Sequence, residues 1–233
     1  MVAHHRVAHD IHALRVSPAR ASGETPAKLF NAFLIVTLGK PMPLVFEQGL
    51  RLTWIVLLGY WLWASRGAKR PTMQEPLTVR LVAYWLPLLV AVLLLGPGPW
   101  FGHSLLREQF VPHSVPVYAT GLGLAVAGAA LAIYARVLLG RNWSATVQLK
   151  DSHELVQSGP YRRVRHPIYT GLLLLFLGNA VMVGDWRGLL AVAIVFVSFW
   201  RKLRLEEKWL GQHFGAAYQT YRQQTKALIP AVL

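Results

Sequence analysis

Apolar residues in this chain gather into long runs instead of alternating with polar ones, which points to helices with lipid as the solvent. The first run covers 44–64 and is broken near one end by Glu47, Gln48 and Arg51. The second, 79–95, stops at Gly96-Pro97-Gly98-Pro99, a strong helix terminator. The third, 117–139, carries Gly121, Gly123, Gly128, Ala129 and Ala130; small residues let membrane helices approach closely, so this helix is expected inside a bundle. The fourth, 168–183, and the fifth, 189–200, are separated only by Gly184-Asp185-Trp186-Arg187-Gly188 and are expected to form an antiparallel hairpin. Both are shorter than the roughly 20 residues of a full span, and the fifth can lengthen by continuing as a helix through 201–213. The expected fold class is all-α, an integral membrane bundle of about five transmembrane helices.

Charge then orients the bundle. Arg66, Lys69, Arg70 and Arg80 lie in one connection, Arg141, Lys150, Arg162, Arg163 and Arg165 in another, and Arg201, Lys202, Arg204, Lys208, Arg222 and Lys226 follow the fifth run. The other side holds only Arg107 and Arg187. Fifteen cations against two place the C-terminus in the cytoplasm under the positive-inside rule. The same distribution accounts for the net charge of +14 without a nucleic-acid partner. Nine Trp and eight Tyr suit the membrane–water interface, and only 15% of residues are charged. The chain has no cysteine, which removes disulfides, thiolate metal sites and cysteine nucleophiles.

The first forty residues fit this scheme poorly. They carry several cations and His4, His5, His9 and His12 without periodicity, and run 29–38 lies too far in, with no small-residue cleavage site after it, for a signal peptide. Residues 1–41 are expected to be a disordered tail or a mis-called reading frame ahead of a true start at Met42. No metal site is expected from the histidines. Residues 42–139 then form helices one to three, and 140–233 form the region carrying the chemistry, with the hairpin at 168–200.

Two polar segments fall on the expected cytoplasmic side. In the first, Gly159-Pro160 makes a turn, and Pro167 both forces His166 out of the helical region and suits the first position of the fourth helix. His166 therefore precedes a helix N-terminus, where free N–H groups attract a carboxylate. In the second, Glu206 and Glu207 are adjacent on a helix. Neighbouring positions diverge by about 100°, so the two carboxylates are not expected to face one point. Glu206 lies one turn beyond Lys202 and can pair with it. Glu207 shares a face with Trp200, Leu203, Leu210 and Phe214 and is expected to be the more inward acid.

Taken together, Gly159-Pro160-Tyr161, Arg165-His166-Pro167, Tyr169 and Gly171, then a hairpin, Glu206-Glu207, Phe214-Gly215, Tyr218, Tyr221 and Leu228-Ile229-Pro230 resemble a known pattern. It is that of the integral membrane S-adenosylmethionine-dependent methyltransferases, the isoprenylcysteine carboxyl methyltransferase and phospholipid methyltransferase family. The likeness covers 140–230; the first three helices match only in being hydrophobic. The resemblance implies a C-terminal cytoplasmic helical cap over a cofactor pocket. It implies that Gln148, His153, Glu154, Leu155 and Val156 belong to a loop wrapping S-adenosyl-L-methionine, with Tyr161 the aromatic at the turn. His166, Pro167, Ile168 and Tyr169 would line the adenosyl and methionyl groups, and Glu206 would supply a carboxylate to the cofactor. Lys202, with Arg201 nearby, would bind the carboxylate of the acceptor.

Methyl transfer from a sulfonium is an in-line displacement that depends mainly on positioning. A carboxylate acceptor is already nucleophilic and needs only a steering cation, whereas an amine needs a proton acceptor, for which Glu207 or His166 would serve. The acceptor is expected to be lipid-like or a small hydrophobic molecule: the carboxyl of a prenylated cysteine first, with a phospholipid amine or a small thiol as alternatives. A bacterial inner membrane is the expected location. A sterol-type reductase using NADPH shares an Arg-His-Pro-like pocket but usually has more spans. A non-enzymatic membrane subunit predicts paired charges within the spans, where this chain has Glu47, Arg51 and Arg136, all near ends.

Overall fold

The computed structural model describes residues 42–66, 71–74, 76–140, 148–150 and 155–230. The expectations for residues 1–41 lie outside them. Each of the five apolar runs is a helix. Helix α1 covers Leu44–Ser65, and α2 covers Leu77–Leu94 with a π-helical turn at Leu81–Trp85 in its middle. Helix α3 covers Val115–Leu139, α4 Pro167–Val183 and α5 Trp186–Phe214, and α6, Ala216–Gln224, ends the helical part.

Backbone chemistry sets the limits of these helices more than apolarity does. Helix α3 begins two residues before its apolar run because Ser114 is extended and Pro116 occupies the first turn. Gly184, at φ 73°, closes α4 in the left-handed conformation, and the extended Asp185 starts α5 at once, which gives the tight hairpin. At 29 residues, α5 is about 43 Å long and outruns a hydrocarbon core of about 30 Å. Gly215, at φ 53°, breaks it from α6.

The architecture is helical, as expected, with one short strand pair beside the helices. Strand β1, Pro71–Gln74, pairs antiparallel with β2, Gln148–Lys150, setting Gln148 opposite Gln74. Residue 148 therefore has a partnered backbone instead of lying in an open loop.

Helix α1 packs on α3, α3 on α4, α4 on α5, and α5 on α2. The α3–α4 contact is the closest, as the glycines of the third run led one to expect. A Cβ on Gly128 would stand 2.5 Å from the Gly171 carbonyl oxygen and from the Leu175 nitrogen. Only glycine permits that approach. Around it the core is built from Ala125, Ala129, Ala132 and Leu175, and a second cluster contains Tyr161, Ile168, Tyr169, Phe176, Val195, Phe199 and Leu203. Large apolar side chains face outward instead, among them Leu52, Ile55 and Leu62 of α1 and Val82, Leu86 and Leu89 of α2. Small residues inside and leucines outside is the arrangement that lipid favours. Among the described residues, Leu77–Leu94 and Val115–Leu139 are long and apolar enough to cross a membrane.

Two buried arginines complete helix ends. Arg136 of α3 donates to the carbonyls of Gly140 (2.6 Å) and of Ala64 in α1 (3.0 Å). Arg187 donates to Leu94 (2.7 Å) and Gly96 (2.5 Å) at the end of α2, and pairs with Asp185 at 2.9 Å. By sequence Arg187 counts only as one of two cations on the side opposite the C-terminus. It is buried because the carbonyls ending α2 and the adjacent carboxylate satisfy its donors.

Candidate functional site

The site forms where α4 begins and α5 leaves the core. Gly159, at φ 58°, opens a 3-10 turn over Gly159–Arg162 that delivers the chain to His166. His166 has φ −124° and ψ 58°, a non-helical cap residue imposed by Pro167. The C-terminal segment returns alongside: Arg165 N–H donates to the Lys226 carbonyl (2.8 Å) and His166 N–H to that of Ala227 (3.0 Å). Thr170 adds a hydroxyl bond to the Leu228 carbonyl at 2.7 Å. The chain on both sides of the imidazole is thus held by residues 58 to 61 positions away.

The two acids meet the imidazole from opposite sides. His166 Nδ1 lies 3.5 Å from Glu206 Oε2, and Nε2 lies 3.3 Å from Glu207 Oε1. Adjacent helical positions do diverge, as expected, but a five-membered ring with a nitrogen at each flank reaches both carboxylates. Of the pair, Glu207 is the more buried, as its apolar face foretold.

Each acid has a further partner. Glu207 accepts from Arg165 Nε at 2.7 Å, with Arg222 at 3.8 Å. Arg165 Nη1 donates to the carbonyls of Thr225 and Arg222, which ties the end of α6 to the site. Glu206 accepts from the Tyr169 hydroxyl at 2.6 Å. The Tyr169 ring stacks with those of His166 (5.5 Å) and Phe199 (5.0 Å). The Lys202 ammonium stands 5.3 Å from the Tyr169 ring centre and 5.6 Å from that of Tyr84, and the Arg201 guanidinium also lies 5.6 Å from Tyr84.

These contacts set the charge states. Burial alone would lower the His166 pKa, but hydrogen bonds and charge from Glu206 and Glu207 outweigh it and raise the imidazole above its usual value. Burial would raise Glu207, yet bonds from His166 and Arg165 hold it down at about 2. Glu206 is likewise lowered: burial opposes ionisation, and His166, Lys202 and Tyr169 overcome it. The imidazole thus lies between two carboxylates that favour its protonated form, with Arg165 on one flank and Lys202 near the other.

The remaining sequence candidates divide. Pro167 and Ile168 are buried beside His166. Tyr161 is buried too, with its hydroxyl 3.3 Å from the Ala135 carbonyl of α3 and its own carbonyl accepting from Tyr221 at 2.7 Å. Leu155 and Val156 are half-buried, and Val156 packs on the main core. Gln148 lies in β2. His153 and Glu154 fall outside the described residues. Sequence reasoning missed two participants. Arg165 stood within the motif, and its i−1 position to His166 was a usable signal. Tyr84 sits on α2, with no local motif to mark it. An open polar groove of about 420 Å³ between α5 and α6 is lined by Arg204, Lys208, Gln212, Gln219 and Arg222 together with Glu207.

Residues 116–217, which include the hairpin, His166 and both acids, match the family described as phospholipid methyltransferase. The chain is similar to the protein-S-isoprenylcysteine O-methyltransferase of Schizosaccharomyces pombe, 32% identical over 160 residues, covering 64% of this chain and 68% of that protein. It is also similar to protein-S-isoprenylcysteine O-methyltransferase B of Arabidopsis thaliana (31% over 115 residues, 48% of this chain and 58% of the relative). The Homo sapiens protein-S-isoprenylcysteine O-methyltransferase is 32% identical over 116 residues, 48% of this chain and 41% of its own length. The chain thus spans about two thirds of the yeast relative and less of the others. With the motif, the hairpin and the acid pair all inside the matched span, this chain belongs to the protein-S-isoprenylcysteine O-methyltransferase family of methyltransferases.

Proposed function

We propose that this chain is an integral membrane S-adenosylmethionine-dependent methyltransferase that esterifies the carboxylate of a lipidated cysteine. In this assignment residues 42–139 contribute three spans and 140–233 the methyltransferase region, with five spans in all, the hairpin at 168–200 and the C-terminal helices on the cytoplasmic side. The exposed leucines of α1 and α2 and the Lys/Arg asymmetry support it. The relatives named above are eukaryotic, and a bacterial membrane is not part of the proposal.

The cofactor supplies an electrophilic methyl group on a cationic sulfonium. The residues at hand suit such a group: Tyr169 and Tyr84 already receive the Lys202 ammonium on their faces, and Glu206 is an ionised carboxylate beside them. Glu206, Tyr169 and His166 would hold it, with Pro167 and Ile168 backing them. Tyr161 and the stretch containing Gln148, His153, Glu154, Leu155 and Val156 would complete the enclosure.

The observation that carries the choice of acceptor is the absence of an available base in this cluster. Glu207 is engaged by Arg165 and His166 and kept at about 2, and both ring nitrogens of His166 face carboxylates, which raise its pKa. Neither is suited to accept a proton, which an amine would have to give up. A carboxylate needs none; it needs a cation, and Lys202 and Arg201 stand together beside Tyr84. Glu207 accordingly serves to hold Arg165 and His166 and not as the base.

Membranes containing the chain, given methyl-labelled S-adenosylmethionine and an S-prenylated N-acetylcysteine, are expected to form a base-labile ester that releases labelled methanol. His166→Ala and Glu206→Ala are expected to lose this activity by about 100-fold or more, the scale of losing a positioned charged contact. Base-stable label in lipid amines, with no ester, would replace this proposal with the phospholipid reading.

A further inference from the structure

From Lys208 to Leu233 the sequence has no aspartate or glutamate, while Lys208, Arg222 and Lys226 keep it basic. The fold gathers part of this charge around one concavity. Gly215 bends the chain between α5 and α6, and the groove of about 420 Å³ opens between the two helices. Arg204, Lys208 and Gln212 recur at every fourth position and share the α5 wall; Gln219 and Arg222, three apart on α6, form the other. The lining carboxylate, Glu207, is already bound by Arg165 at 2.7 Å and has Arg222 at 3.8 Å. Among the described residues no carboxylate pairs with Arg204 or Lys208, and both are exposed. Like charges one helical turn apart repel, and an anion between the walls would relieve that repulsion.

The height of the groove narrows the choice of anion. Residue 204 lies about 27 Å and residue 212 about 39 Å along α5 from Trp186, at 1.5 Å per residue. A hydrocarbon core is about 30 Å thick, and headgroups bring the bilayer to about 40–45 Å. With α5 starting at the far boundary of the core, the groove stands at the level of the inner headgroups.

We infer that this groove binds the phosphate of an anionic phospholipid, with Arg204 and Lys208 on one wall and Arg222 on the other. The non-bridging phosphate oxygens accept from the guanidinium and ammonium groups, and the amides of Gln212 and Gln219 donate to the rest of the headgroup. A zwitterionic headgroup would bring its own ammonium to these cations. The inference rests on the membrane-spanning reading above and not on the identity of the methyl acceptor. It also joins lipid composition to the site. The Arg222 carbonyl accepts from Arg165, which holds Glu207, so a lipid drawn to Arg222 steadies α6 against the cluster around His166.

The test is retention of labelled phosphatidylglycerol by the purified full chain in mixed micelles of neutral detergent and phosphatidylcholine. Binding is expected to saturate, and to be displaced by unlabelled phosphatidylglycerol but not by inorganic phosphate at the same concentration. Arg204→Gln with Lys208→Gln is expected to weaken it roughly tenfold or more, the scale of losing two cations beside an anionic headgroup. Arg162→Gln with Arg163→Gln removes the same charge from an exposed turn outside the groove, and is expected to change binding by about twofold or less. Equal loss in the two double variants would mean diffuse surface attraction, and displacement by inorganic phosphate would mean a soluble-anion site. Either result, or no retention of phosphatidylglycerol, would overturn the inference alone. Release of the chain from membranes by alkaline carbonate would instead remove the membrane-spanning reading on which it rests.

Discussion

His166 is the residue on which the inner end of the molecule turns, because both of its ring nitrogens face carboxylates. Removing one acid therefore strands a buried cation. Glu207→Gln leaves Arg165 without its charged partner at a site where both side chains are more than nine-tenths buried. Loss of one member of such a pair costs about 3–5 kcal/mol, and the variant should melt well below the parent in detergent. The cluster also sets a pH optimum of stability. Glu207 falls to about 2 from a reference of 4.5, so its contribution is complete above 4.5 and is lost as pH drops toward 2. His166 is raised above its reference of 6.5, so its contribution is complete below 6.5 and declines as pH rises through the folded value. Thermal unfolding across pH should peak between these limits, and His166→Gln should remove the alkaline decline. Tyr169→Phe tests the other branch: it deletes a hydroxyl bond to the ionised Glu206, worth about 1.5–3 kcal/mol, and cofactor Kd should rise about tenfold or more.

Among the elements, the α3–α4 contact depends on backbone approach and is intolerant of a methyl group. A Cβ at Gly128 meets carbonyl and amide atoms of α4, whereas one at Gly123 on the same helix meets nothing within 4 Å. Gly128→Ala is expected to force the helices apart and lower the melting temperature. Gly123→Ala should be neutral or slightly stabilising, since alanine is the better helix former. The pair separates packing from propensity in one thermal measurement. The C-terminal segment is a second such element. Its carbonyls at Thr225, Lys226, Ala227 and Leu228 receive bonds from Arg165, His166 and Thr170, so it acts as the clasp of the site although it has no catalytic group of its own.

For the whole molecule, the distribution of leucine and charge makes a cellular prediction. Leucine, valine and tryptophan cover the outer faces of α1 and α2 while alanine and glycine fill the interior. Such a body is expected to stay with membranes through alkaline carbonate extraction. The Lys/Arg asymmetry between the connecting segments predicts that a protease-sensitive tag at the C-terminus is cleaved from the cytoplasmic side and that one inserted at residue 103 is protected. Cleavage of both from the same side would remove the five-span topology.

Apolar run length, proline and glycine positions, and the Arg165-His166-Pro167 motif were enough to locate all five long helices and the family. These features act through neighbouring residues: burial of a run, the φ of a proline and the start of a helix are settled within a turn or two. Contacts between distant segments were not legible in the same way. That one imidazole spans two diverging carboxylates depends on where α5 passes the start of α4. The burial of Arg187 depends on where α2 ends, and the place of Tyr84 beside Lys202, 118 positions later, depends on how α2 packs on α5. Local order along the chain decides which helices form and which groups are chemically able. Only the packing of those helices, a sum of many weak long-range contacts, decides which of the able groups meet.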